Sequence, residues 1–253
     1  MDFKKEKSTD KIEGRNPVIE ALSSGRTIDK ILVQNGEKHG SILKILAMAK
    51  EKRIAISYVE KAKLDSIATS HSHQGVIAYA AMKEYVSVSD IINIAREKGE
   101  QPFLVICDEI TDPHNLGSII RSANAAGVHG VIISKHSGVG LNATVAKTSA
   151  GAVEFTPVAQ VSSIAQTIEQ LKIENIWVVG ADMDGENTIH THDFGGAIAI
   201  VVGSEGKGIS RLVKERCDFM VRIPMLGDIS SLNASVAAAL MIYEAVRARQ
   251  ASK

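Results

Sequence analysis

Six short, mostly apolar runs constrain this chain more than anything else in it: Phe103–Asp108, Val131–Ser134, Glu154–Ala159, Ile176–Gly180, Ile198–Gly203 and Phe219–Ile223. Their apolar residues are consecutive rather than alternating, which reads as strands covered on both faces. Segments with helical spacing lie between or after them: Leu116–Ala126, Leu141–Ala150, Ile164–Leu171, Gly208–Arg216 and Ser231–Arg249. Doubly buried strands that alternate with helices build an α/β fold, a parallel sheet sandwiched by helices. Aromatic residues make up only 4% of the chain, so Ile, Val, Leu and Ala must fill its core.

The first 80 residues read as a separate, smaller α/β module. Residues 1–11 are polar and are expected to fray. Asn16-Pro17 reads as a helix start and Gly25 as its stop. Strands are expected at Ile28–Gln34, Ile54–Val59 and Gly75–Ala80, with helices at Ser41–Lys52 and Ala62–Thr69. Residues 81–100 form a connector with one amphipathic helix, Ser89–Lys98, ended by Gly99. The expected organisation is therefore a module at 1–80, a linker at 81–100 and the main α/β domain at 101–253.

The formal net charge of zero hides an asymmetry. Residues 1–80 hold 14 Lys and Arg against 10 Asp and Glu, whereas residues 101–253 hold 12 against 15. A basic first part is suited to a polyanion. Arg15, Arg26 and Lys11, with Lys30 and Lys38 near them, are candidate phosphate contacts, although a plainly solvated face gives the same pattern. His71 and His73 stand two residues apart without a cysteine or carboxylate beside them, which makes a poor metal site. A loop that is solvated or touches RNA explains them better. Cys107 and Cys217 sit in apolar surroundings and read as inert buried thiols. The charged N-terminus is no signal peptide, and no apolar run nears the roughly 18 residues of a membrane span. A cytoplasmic protein without membrane contact is expected.

The first apolar run of the main domain exits without the G-x-G-x-x-G of dinucleotide sites, and no P-loop occurs. Glycines cluster late instead, at Gly203, Gly206 and Gly208, after the fifth run. Three polar groupings accompany the strand exits. In Asp112-Pro113-His114-Asn115-Leu116-Gly117, Asn115 is a natural N-cap, and Arg121 follows about two turns into the helix. Its guanidinium suits a phosphate, or equally a surface ion pair. In Gly203-Ser204-Glu205-Gly206-Lys207-Gly208, Glu205 occupies a turn after a strand. In Ser230-Ser231-Leu232-Asn233, one residue would cap the last helix, and capping leaves the others unexplained.

These three groupings, with Ile223-Pro224-Met225, resemble in order the signature motifs of the SpoU (TrmH) family, RNA 2′-O-ribose methyltransferases of the SPOUT class. Gly14-Arg15-Asn16-Pro17-Val18-Ile19-Glu20-Ala21-Leu22 and His73-Gln74-Gly75-Val76 are similar to the L30e-like substrate-binding domain of the family's longer members. The layout is most like that of members acting on a guanosine ribose of 23S rRNA. The resemblance implies a deep trefoil knot in the C-terminal domain and a homodimer with a shared site. It implies S-adenosylmethionine as methyl donor, contacted at Gly203, Ile223 and Leu232, with no metal. It also implies Arg121 as the central catalytic residue, with Asn115, Glu205, Ser231 and Asn233 around it. A tRNA ribose methyltransferase, a resistance-type rRNA methyltransferase and a non-catalytic RNA-binding assembly factor are the competing readings.

Overall fold

The computed structural model describes residues 9–37, 39–69, 72–81, 83–229 and 231–251. Three residues singled out above, Lys38, His71 and Ser230, lie outside them. The chain forms two compact units, one of residues 1–84 and 141–155, the other of residues 85–140 and 156–253.

In the first unit, β1 (Thr9–Glu13), α1 (Arg15–Ser23), β2 (Ile28–Gln34), α2 (Ser41–Glu51), β3 (Ala55–Val59), α3 (Lys61–Ile67) and β4 (Val76–Ala81) follow in order. The sheet runs β1-β4-β2-β3. β4 is antiparallel to both neighbours, whereas β2 and β3 are parallel. Val18, Ile19, Ala21 and Leu22 of α1 and Ile42, Ile45 and Ala49 of α2 are buried with Ile31, Val33, Val76 and Ala78 in one core. β1 corrects the expectation of a frayed start through residue 11. Ile12 is buried, and pairing with β4 supplies the ladder hydrogen bonds that a polar sequence hides.

The second unit opens with α4 (Val88–Glu97), which is capped by a reciprocal Ser87–Asp90 box. It continues through β5 (Phe103–Cys107), α5 (Pro113–Ala125) and β6 (Gly130–Ser134). The chain then gives α6 (Ala143–Thr148) and a 3₁₀ turn at Ala152–Glu154 to the first unit, where α6 packs on β1. It returns for β7 (Val158–Val161), α7 (Ile164–Ile173), β8 (Trp177–Ala181), β9 (Asn187–Thr188), β10 (Ile198–Val202), α8 (Arg211–Lys214), β11 (Phe219–Arg222) and α9 (Ala234–Ala251). The strand expected at Glu154–Ala159 forms later than its apolar residues suggest. Glu154 stays in the 3₁₀ turn, where its carboxylate pairs with Arg26.

All pairings in the second sheet are parallel, and its order is β7-β6-β5-β10-β8-β11-β9. β5 and β10 are buried at every position, as expected for strands sandwiched by helices. From β5 the chain moves outward to β6 and β7, then crosses back to build the other half. The strand order therefore reverses between β5 and β10, and a crevice opens at the carboxyl ends of strands at such a point. Ile106, Ile132, Val178, Val201 and Ile168 lie in the core that holds this edge rigid.

Candidate functional site

Four strand exits meet at the carboxyl edge of the second sheet. β5 leads through Asp108 to α5, β8 leads to Asp182, β10 to Gly203, and β11 to Ile223. Asp108 is buried, and its carboxylate accepts the Ser210 N–H at 2.7 Å, which ties the β5 exit to the chain beyond β10. Asp112 caps α5, taking the His114 N–H at 2.9 Å, with Pro113 in the first turn. The cap is therefore three residues earlier than the sequence suggests. Asn115, relieved of capping, is 6% exposed and turns its carboxamide toward the β10 exit.

There Asn115 Nδ2 donates to Glu205 Oε2 at 3.3 Å, and Asn233 Nδ2 donates to Asn115 Oδ1 at 2.9 Å and toward Glu205 Oε2 at 3.4 Å. Asn233 also begins α9, because its Oδ1 accepts from the Ser235 N–H and hydroxyl at 2.9 and 2.6 Å. One side chain thus caps the last helix with its oxygen and reaches across the switch point with its nitrogen. Ser235 was not foreseen. It is a third polar residue in a helix start that one cap already explains.

The loop after β10 closes on itself through Ser204 N–H to Gly208 O and Gly208 N–H to Ser204 O, at 3.0 and 2.9 Å. A Cβ on Gly203 would stand 2.0 Å from the Gly208 carbonyl carbon, so only glycine fits there. A cavity of 260 Å³ lies beside this loop, and Gly203, Ile223, Ser231 and Leu232 all line it. Met183, Met225, Ala234 and Ala237 add apolar wall, and Asp182 and Lys214 add charge. Neither of these last two was foreseen. The one available signal was position, since Asp182 directly follows a strand.

Arg121 stands apart. It lies six residues beyond Asn115, about one and two-thirds turns of helix, and therefore faces another direction. It is exposed and makes no hydrogen bond or ion pair to a described residue. In the first unit Arg15 lines a polar cavity with Asn16, Gln34, Glu37, His73 and Gln74. Its guanidinium holds Glu37 at 2.9 Å and the Gln74 carbonyl at 2.9 Å. His73 is buried, taking the Gly75 N–H on Nδ1 at 3.0 Å and meeting Asp65 through Nε2 at 2.8 Å. Lys11 donates to the Ile67 carbonyl at 2.8 Å. Arg26 corrects the expectation of a phosphate contact. Its side chain is 7% exposed and paired with the buried Glu154 at 2.6 Å, so it is spent inside the unit.

Residues 102–243 match the model of the SpoU rRNA Methylase family, and residues 11–86 match that of the RNA 2′-O ribose methyltransferase substrate binding domain. The chain is 48% identical over 240 residues to YacO of Bacillus subtilis (strain 168), covering 95% of this chain and 96% of that one. A Staphylococcus saprophyticus protein is 47% identical, over 94% and 95% of the two chains. Both are named for the TrmH family of tRNA/rRNA methyltransferases. Among solved structures, the SpoU methyltransferase AviRb from Streptomyces viridochromogenes superposes with a TM-score of 0.82 at 27% identity, over 97% of this chain and 91% of that one. The same enzyme in complex with AdoMet superposes with a TM-score of 0.80 at 27% identity, over 94% and 89%.

Proposed function

The chain belongs to the SpoU rRNA methylase family and is an RNA methyltransferase that uses S-adenosylmethionine, and we propose that it methylates a ribose 2′-hydroxyl of 23S rRNA, at a guanosine. The observation that carries this reading is the convergence of Asn115, Glu205 and Asn233 beside a cavity walled by Gly203, Ile223 and Leu232. That cavity suits an adenosine: apolar side chains can sandwich a flat base, and backbone and charged groups at its rim can take the polar edges. When bound, S-adenosylmethionine supplies a methyl carbon already activated by its sulfonium.

What remains for the protein is alignment of the ribose oxygen and removal of its proton. In our reading Glu205 and Asn233 hold the reacting ribose, and Asn115 fixes both by bridging them. Ser231, exposed on the cavity wall, the Asn233 amide or a phosphate oxygen polarises the hydroxyl. Its proton passes to the phosphate oxygen or to water as the oxygen–methyl bond forms and the sulfur–methyl bond breaks. Arg121 clamps the phosphate beside that ribose. Exposed and unpaired among the described residues, it is free for a phosphate oxygen, which its planar guanidinium suits.

The wider reading is a cytoplasmic homodimer with a trefoil knot. Val236, Leu240 and Tyr243 support the dimer, since they are 46%, 42% and 52% exposed at helical spacing along α9. In support of the knot, β11 lies two strands from β10, yet α9 returns to pack on β10 and α5. The first unit would hold the RNA, with Arg15 at its polar cavity and Lys11 giving up the Ile67 carbonyl for a phosphate. The rRNA target rests on that unit, which a compact tRNA enzyme does not need.

The test is transfer of label from S-adenosylmethionine to separate pools of unmodified 23S rRNA and tRNA. Label is expected in the rRNA, at a guanosine ribose. Label in tRNA alone would overturn the target, and label in neither would favour a non-catalytic assembly factor.

A further inference from the structure

Asp182 and Lys214 stand on the wall of the same cavity and have no part in the polar network of Asn115, Glu205 and Asn233. Asp182 follows β8, the strand beside β10, so it sits one strand over from Gly203. Its side chain is 12% exposed, and its Oδ2 meets Lys214 Nζ at 2.5 Å. Oδ1 accepts the Asp184 N–H at 3.0 Å, and the Asp182 N–H donates to the Val221 carbonyl at 2.9 Å. Both the backbone and the carboxylate are thereby fixed before any ligand arrives. Oδ2 also lies 3.9 Å from where a Cβ on Gly208 would be, which places the carboxylate against the glycine loop.

We infer that Asp182 is a positioning residue that accepts hydrogen bonds from the two ribose hydroxyls of the cofactor, with Lys214 holding its carboxylate in place. The inference rests on the S-adenosylmethionine reading of the cavity. Its argument is one of charge and valence. An ionised carboxylate offers about four acceptor positions, and the described contacts use one on each oxygen. Two are left, one per oxygen, which matches a vicinal diol. The cofactor also carries an ammonium, but Lys214 already supplies a cation 2.5 Å from Oδ2, and a second would meet like charge in a partly closed site. A neutral diol adds donors without adding charge. A carboxylate just beyond a strand's carboxyl end is also where α/β sheets hold ribose hydroxyls. Asp184, the nearest alternative, also lines the cavity but is exposed.

The experiment is calorimetric binding of S-adenosylhomocysteine and of its 2′,3′-dideoxy analogue to the full chain. The unaltered protein should prefer the ribose form by about tenfold or more, the range expected for hydrogen bonds to a charged acceptor. Asp182→Ala should erase that preference. Asp182→Asn keeps the shape while removing the charge, and it should cut the preference by about threefold or more, so the question stays answerable even if the alanine variant fails to fold. Equal affinity of the unaltered protein for the two ligands would overturn the assignment and leave the cofactor reading standing. A preference that survives undiminished in Asp182→Asn would do the same. Failure of either ligand to bind would overturn the cofactor reading and the assignment with it.

Discussion

Asn115 accepts from Asn233 and donates to Glu205 while only 6% exposed, but Glu205 is exposed and Asn233 half-buried, so water can reach the partners it would leave. Asn115→Ala should cost about 0.5–1.5 kcal/mol of stability, the net worth of a hydrogen bond. Methyl transfer should fall by about 100-fold, the lower end for a lost positioning or proton-transfer group, with cofactor affinity nearly unchanged. Thermal melts beside single-turnover rates and a binding isotherm would separate these effects. His129 offers a different test. Its ring is buried, with Nδ1 accepting the Phe103 N–H at 3.1 Å and Nε2 meeting Glu100 at 3.1 Å. Burial holds its pKa below the ordinary value, and Glu100 opposes that only in part. The neutral ring is the folded form, so its contribution is full above about pH 6.5 and is lost as pH falls through the folded value. The melting temperature of the unaltered protein should drop more between pH 8 and 5 than that of His129→Gln. Parallel curves would rule this out. Cys107 and Cys217 are both pushed up to about 12, chiefly by burial, so neither is a ready nucleophile.

At the scale of elements, the loop after β10 sets the site. Its two ends bond to each other, and Gly203 leaves no room for a side chain. Gly203→Ala should force the loop open, costing about 1–3 kcal/mol or more as overpacking does, and should abolish cofactor binding. Unchanged affinity in a folded variant would show that the loop can yield. The glycine cluster was plain in the sequence because few other residues form such a turn. The α5 cap was not. Asp112 and Asn115 are both good caps three residues apart, and Asn115 goes inward because Glu205 and Asn233 wait there. Those partners lie 90 and 118 residues away in sequence, beyond any local signal.

At the scale of the molecule, α9 is apolar around much of its circumference. Ala238, Met241, Ile242 and Ala245 are buried, while Val236, Leu240 and Tyr243 face outward. In a homodimer the outward stripe would be covered. Leu240→Lys should therefore halve the mass measured by light scattering, and a mass unaffected by the substitution would count against a dimer built on α9. The division into units is another property of the whole. Residues 141–155 belong with residues 1–84, although their periodicity reads as one more helix of the second sheet. Periodicity reports that a helix has an apolar face, and it carries no information about which sheet receives that face.

The sequence by itself determined the alternation of strands and helices, the fully buried strands β5, β6 and β10, and the glycine loop. Each follows from local sterics and from how many faces a segment must bury. The resemblance to the family's motifs also marked Asn115, Glu205 and Asn233, and Gly203, Ile223 and Leu232 on the cavity wall. Tertiary structure alone decided that β10 inserts between β5 and β8, and that Asn233 is cap and bridge at once. It also decided that Arg26 is turned inward and that Asp182 is seated beside Lys214. Those outcomes depend on which distant groups become neighbours. A charged side chain reads the same in sequence whether it meets solvent, a buried partner or a ligand.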